Sequence, residues 1–349
     1  MKGRIAVLGQ LDDGREAAAL INDGRLDDLL VDPPEGPAPR PGAIFRARAE
    51  RPLKGQNGML LSLPGGQSGF LRQARGIAEG QSLLVQIATW GEEGKAAPVS
   101  RKLLFKGRWA ILTPGAPGRN IARSIRDEGL RDALAEIAAS AMEGAPEDLG
   151  LILRSASAGA DEEEIAAEIT DLRAVCEAIT GDAEGPPELL LEAPSAHEAA
   201  WRDWTDPPPE QVFRGENALA EHGVAEMIDA LQGPRVPLPG GAHMFIEPTR
   251  ALVAVDVNTA GDFSPAASLK ANLAALRELP RQLRLRGLGG QIVIDLAPLA
   301  KKDRRQAEQA LARALRGDGI DTAIVGWTPL GHLELQRKRE RLPLNARAR

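Results

Sequence analysis

The chain has 349 residues, 26% of them charged and 43% hydrophobic, the balance of a globular protein with one to three compact domains and a sizeable core. No apolar run is long enough to span a membrane, and the opening MKGRIAVLGQLDDG lacks a signal-peptide core, so a cytoplasmic location is expected. One cysteine, Cys176, and four histidines (His197, His222, His243, His332) without metal-ligand spacing exclude an internal disulfide and argue against a zinc hydrolase. The net charge of −6 argues, as an average, against nucleic acid. That average hides an asymmetry: residues 277–349 carry 16 Lys and Arg against 8 Asp and Glu, while residues 1–276 carry 27 against 41. A basic block on an acidic body reads either as a polyanion site or as a solvated arginine-rich helix face.

In chain order, the first stretch reads as short strands, with Asn22-Asp23-Gly24 as a hairpin turn. The Pro-rich run 31–39 marks a boundary. Residues 41–105 alternate in short apolar runs between Gly-rich turns, the pattern of a small β-barrel. From Trp109 the pattern becomes α+β: a strand closed by Thr113-Pro114, helices at 127–142 and 161–179, and a strand at 149–155 between them. Asp161 with Glu164 predicts a capping box for the second helix. A second Pro-rich break at 205–209 precedes a helix at 216–231. Then come a strand at 250–257, a helix from Ser264-Pro265 to about residue 286 kinked at Pro280, a strand at 291–295, a helix capped by Asp303, and a strand at 322–325. Strands joined by long helical crossovers predict parallel pairing.

Two apolar strands end in carboxylates, VAVDVN at 253–258 and IVID at 292–295. Side chains alternate along a strand, so Asp256 and Asn258 share a side. Were the strands neighbours, Asp256, Asn258 and Asp295 would meet beyond the carboxyl ends, where open parallel sheets place their sites. Two carboxylates and an amide oxygen suit a hard cation, Mg²⁺ above all; the alternative is acids that cap helices or close turns. Between the strands, Arg281 and Arg284 lie one helical turn apart and suit phosphates, or are plain exposed helix charge. Lys302 is a further cationic candidate.

The segments GGAHMFIEPTRALVAVDVNT (240–259) and RQLRLRGLGGQIVID (281–295), at this separation, resemble the catalytic region of the ribonuclease E/G family of bacterial endoribonucleases. The match is best from about 236 to 341 and colinear elsewhere. The resemblance implies a multidomain α+β and α/β fold: an RNase H-like subdomain split between 1–40 and 181–215, an inserted OB-fold β-barrel at 41–105 that binds RNA, an α+β 5′-end sensor at 106–180, and a C-terminal DNase I-like α/β catalytic domain at 216–345. It implies Mg²⁺-dependent cleavage of single-stranded RNA in RNA decay and in ribosomal and transfer RNA processing, leaving 5′-phosphate and 3′-hydroxyl ends. Asp256 and Asp295 match the magnesium carboxylates, and Asn258 their polar support.

GLILRS (150–155) is similar to the strand that holds a 5′-monophosphate, with Arg154 supplying a donor fork and Ser155 a hydroxyl. GRWAI (107–111) matches the segment that adds a backbone contact at Ile111, and Arg123 sits where the family often has a basic residue. A strand-end ion pair of Arg154 with the acidic helix at 161–164 is the competing expectation. In the barrel, Phe70 and Lys95 are RNA-contact candidates, but Leu60 stands where the family tends to have an aromatic. Pro329 stands where it usually has an arginine, and LAP (296–298) lacks a second acid. With no cysteine after the catalytic segment, the resemblance implies no zinc link, and a homodimer only without one. The alternative is a non-catalytic RNA-binding protein of the same fold.

Overall fold

The computed structural model describes residues 2–36, 38–92 and 94–344. The end of the expected catalytic segment, at 345, and the last arginines of the basic block lie outside them. The two Pro-rich breaks fall where the chain passes between two compact units, 1–35 with 210–349, and 36–209.

The chain opens with an antiparallel meander, β1 (Arg4–Gln10), β2 (Glu16–Asn22) and β3 (Arg25–Val31). Asp23 (φ 48°) and Gly24 (φ 77°) make the β2–β3 turn, both left-handed as a two-residue turn that matches strand twist requires.

The second unit starts with a barrel: β4 (Ile44–Leu53), β5 (Gly58–Ser62), β6 (Ser68–Arg72), β7 (Ser82–Ile87) and β8 (Ala97–Ser100). The order β4-β5-β6-β8-β7 closes through β4–β7 pairing, so five strands form an OB-like barrel with no free edge between them. Its interior holds Phe45, Ala47, Met59, Leu61, Leu71, Val85 and Val99. An α+β body follows: β9 (Phe105–Lys106), β10 (Ala110–Pro114), β11 (Arg119–Ile121), α1 (Glu128–Ala141), β12 (Leu149–Leu153) and α2 (Glu162–Gly181). Its sheet order is β11-β12-β10-β9. Asp127 caps α1 by accepting from Leu130 N at 2.8 Å. The capping box expected at α2 is absent: Asp161 makes no side-chain cap bond. β13 (Glu188–Leu191) pairs with β4, and α3 (Ala196–Asp203) carries a capping box of Ser195 and Glu198.

On returning to the first unit, β14 (Gln211–Arg214) lies parallel to β1. The helix expected at 216–231 is two, α4 (Ala218–Glu221) and α5 (Val224–Gln232), separated by Gly223 in a left-handed conformation (φ 66°) that no helix interior continues through. The last sheet comprises β15 (Arg235–Pro237), β16 (His243–Pro248), β17 (Val253–Asn258), then after α6 (Pro265–Leu285) β18 (Gly290–Asp295), then after α7 (Arg304–Arg316) β19 (Thr322–Trp327) and β20 (Leu333–Arg337). Its order, β15-β16-β17-β18-β20-β19, corrects the expectation of parallel pairing throughout. β17–β18 is parallel, but β20 enters antiparallel between β18 and β19. α6 runs unbroken past Pro280, and Asp303 makes no cap bond because a short 3-10 turn leads into α7. The inner face of β17 and β18, Val253, Val255, Val257, Ile292 and Ile294, packs in one core with Ala271, Ala275, Leu279 and Leu283 of α6. Among the described residues, no helix is long and apolar enough to cross a membrane.

Candidate active site

The core face of β17 is set by its valines, so strict alternation turns Asp256 and Asn258 outward. β18 does the same through Ile292 and Ile294, leaving Asp295 outside with its side chain 65% exposed. The parallel register pairs Asp256 with Asp295 directly. Asn258 Nδ2 donates to Asp256 Oδ2 at 2.7 Å, which orients that carboxylate and leaves the amide oxygen as an acceptor. Ser264 caps α6 by accepting from Ala267 N, so the chain leaves this edge on a fixed path.

Two histidines border the carboxylates, neither foreseen as a site residue. β20 is antiparallel to β18 with Leu333 opposite Ile294, which brings His332 beside Asp295; its Nε2 lies 3.8 Å from Asp295 Oδ1. His243, on β16, is the register partner of Asn258 and meets the Phe245 ring edge-on at 5.3 Å. His243 Nδ1 is buried without a hydrogen-bond partner. The sequence signal for His332 is its place one residue before the alternating strand Leu333–Arg337.

Among the described residues, no three His, Cys, Asp or Glu gather as a metal cage. The donor set here is two adjacent exposed carboxylates with an amide oxygen. Mg²⁺ commonly binds one or two carboxylates and completes its octahedron with water and substrate phosphate, so this set fits it.

The candidate sensor residues share one edge. β11 runs parallel to β12 with Ile121 beside Leu153, so the continuations carrying Arg123 and Arg154-Ser155 lie side by side. Ala110 pairs with Leu153 from the other side, and Ile111 with Ile152. Glu168 of α2 accepts from three successive backbone N–H groups, Arg108 at 2.6 Å, Trp109 at 2.7 Å and Ala110 at 2.9 Å, and so fixes the turn before Ile111. The Arg154 guanidinium does not reach the acidic helix. It donates to Gly107 O at 2.7 Å, to Arg202 O at 3.1 Å and to Asp203 Oδ1 at 3.1 Å, at the end of α3. Burial raises the Asp203 carboxyl, but the bonds and charges of Arg202 and Arg154 outweigh it and hold the group below the ordinary carboxylate value.

On the barrel, Phe70 of β6 is the partner of Leu60 on β5, both half-buried. The Phe70 ring lies so close to Gly58 that a Cβ there would come within 2.5 Å of it. Lys95 is exposed and paired with Glu92. Lys302 is exposed on the turn after β18, with no ion-pair partner among the described residues.

The expectation that Arg281 and Arg284 face phosphate is corrected. Arg281 binds Glu278 and Leu26 O. Arg284 donates to Asp28 Oδ1 at 3.2 Å and Asp27 O at 2.7 Å, and pairs with Asp318. The acidic strand β3 therefore consumes them, together with Arg341. Arg337, fully buried, pairs with Asp318 and donates to Thr322 Oγ1 at 2.9 Å. Part of the basic block is thus internal structure.

One unit holds an OB-like barrel and an α+β body, and the other holds a mixed sheet ending in paired carboxylates. Residues 105–218 and 210–340 match the Ribonuclease E/G family, and the chain belongs to that family. It is 29% identical over 305 residues to Ribonuclease E of Nostoc sp., covering 76% of this chain and 44% of that protein. It is 28% identical over 303 residues to Ribonuclease G of Salmonella typhimurium, covering 76% of this chain and 61% of that one. Ribonuclease E of Haemophilus influenzae matches at 28% identity over 305 residues, 32% of its length. The chain thus spans between about a third and three fifths of these relatives.

Proposed function

We propose that this chain is an endoribonuclease that cleaves single-stranded RNA with Mg²⁺ in RNA decay and processing. The observation that carries this reading is the direct pairing of Asp256 with Asp295, with Asn258 bonded to the first. Asp256 and Asp295 would hold one Mg²⁺, and Asn258 would keep Asp256 turned toward it. Bound there, the ion would supply positive charge to the scissile phosphate and acidify an attacking water. In the reaction a water oxygen bonds to phosphorus and the bond to O3′ breaks, so the products carry a 5′-phosphate and a 3′-hydroxyl. Phe70 and Lys95 on the barrel and Lys302 beyond β18 are the proposed RNA contacts. Arg154, Ser155, Arg123 and the Ile111 backbone are the proposed 5′-monophosphate pocket. A phosphate entering it must share or displace the Asp203 carboxylate that Arg154 holds. The protein would work in the cytoplasm.

The test is incubation with Mg²⁺ and an A/U-rich single-stranded RNA carrying either a 5′-monophosphate or a 5′-hydroxyl, with end analysis of the products. Cleavage faster on the monophosphate is expected. Equal rates on the two substrates would remove Arg154 from the sensor. A second reading, an RNA-binding protein without catalysis, has Leu60 opposite Phe70 and Pro329 in the turn before His332 in its favour; RNA binding without cleavage by well-folded protein would establish it.

A further inference from the structure

Among the described residues, the two most exposed large apolar side chains follow β17 and tip the β19–β20 turn. Phe263 and Leu330 are each 85% exposed. Phe263 lies in the segment between Asn258 and α6. That segment is held on both sides of it: Asp262 Oδ1 accepts from Ser264 N at 2.8 Å, and Ser264 Oγ accepts from Ala267 N at 3.2 Å. Leu330 tips the β19–β20 turn. There Thr328 N donates to His332 O at 2.8 Å, Gly331 N to Thr328 O at 3.0 Å, and His332 N to Thr328 Oγ1 at 3.1 Å. Since β20 runs antiparallel to β18, this turn sits at the carboxyl end of β18, as the contact of His332 with Asp295 requires. Both apolar groups therefore rise from the edge that carries Asp256, Asn258 and Asp295.

A phenyl ring in water, on a backbone fixed by hydrogen bonds, is preorganised to bury its face against another apolar face. Beside paired carboxylates suited to a phosphate-bound cation, and with exposed Lys301 and Lys302 on the neighbouring turn, that face is a nucleobase. We propose that Phe263 is a stacking platform for a base flanking the scissile phosphate of single-stranded RNA, with Leu330 as an apolar contact on the opposite side of the site. This rests on the endoribonuclease reading. A duplex keeps its base faces stacked, so only an unpaired strand offers one.

The experiment is fluorescence anisotropy with a fluorescein-labelled A/U-rich single strand, on protein carrying Asp256→Asn so that the RNA stays intact. Phe263→Ala is expected to weaken binding by about 5- to 150-fold, the range that one base stacked on an aromatic ring supplies. Phe263→Trp keeps the affinity, and Leu330→Ala loses less than Phe263→Ala. An abasic nucleotide next to the scissile bond weakens binding to Phe263 protein but not to Phe263→Ala protein. Unchanged affinity in Phe263→Ala, or an equal abasic penalty with and without the ring, overturns the platform while leaving the nuclease reading intact. A loss of self-association in Phe263→Ala with RNA affinity unchanged would assign the ring to a second copy of the chain instead. No RNA binding by protein that keeps Phe263 overturns both readings.

Discussion

Asp256 and Asp295 are register partners on the exposed face of a parallel strand pair, two like charges of which the first accepts from Asn258 and the second lies 3.8 Å from His332 Nε2. Like charges facing each other across a strand pair are unfavourable. The proposed Mg²⁺ site, rather than stability, would account for their place. Asp256→Asn and Asp295→Asn are therefore expected to unfold at the same temperature as the parent or slightly higher. Thermal unfolding followed by circular dichroism checks this; a marked loss of stability in either variant would mean that the carboxylates are structural.

The buried cluster of Asp318 with Arg284 and Arg337 makes the opposite case. Asp318 and Arg337 are both sealed from solvent; Asp318 also pairs with Arg284, but Arg337 has no other acidic partner among the described residues, so removing Asp318 leaves the Arg337 charge uncompensated. Asp318→Ala should cost about 3–5 kcal/mol in denaturant unfolding. The neighbouring Lys338 pairs with Asp321 at 3.1 Å with both side chains exposed, and Lys338→Ala should cost less than about 1 kcal/mol. Similar losses for the two would contradict the assignment of Asp318 and Arg337 to the interior.

Glu278 on α6 gives a pH dependence. Burial raises its carboxyl, but hydrogen bonds from Arg281 and Gln282, the charge of Arg281 and a bond from Arg25 outweigh burial and hold it below its ordinary value of 4.5. A carboxyl lowered in the folded state contributes stability that is complete above its unfolded pKa and is lost as pH falls through the folded one. The parent should lose more stability than Glu278→Gln between neutral pH and about pH 3, measured as urea midpoints. Parallel losses would remove Glu278 from the clamp between α6 and β3.

Cys176 lies on the buried face of α2, packed with Ile165, Ile169 and Ile179. Burial, then the nearby charges of Glu177 and Asp148, push its thiol up to about 11. The reactive species is the thiolate, so iodoacetamide at about pH 8 should leave the folded chain unmodified and label it once in denaturant. Mass spectrometry reads the result, and rapid labelling of folded protein would contradict the burial.

What was legible in the sequence was local. The turn at Asp23-Gly24 follows from residues that tolerate positive φ, and the outward Asp256, Asn258 and Asp295 follow from valines and isoleucines at every second position. What was not legible joins distant segments. Arg284 meets Asp28 across 256 positions, and no local spacing tells a phosphate-facing arginine from one neutralising an acidic strand. Arg154 finds Asp203 rather than 161–164 for the same reason. The place of His332 depends on β20 entering between β18 and β19, a pairing that local spacing does not encode. The split at Gly223 was readable in principle, since a glycine stood inside the expected helix, but apolar periodicity on both sides concealed it.

The most direct measurement is cleavage of a 5′-monophosphorylated single-stranded RNA in Mg²⁺ by the parent chain, Asp256→Asn and Asp295→Asn side by side. The account predicts cleavage by the parent and a loss of about 100-fold or more in each variant, as expected when the ligands of a charge-stabilising ion are removed. Equal rates in all three proteins would contradict it.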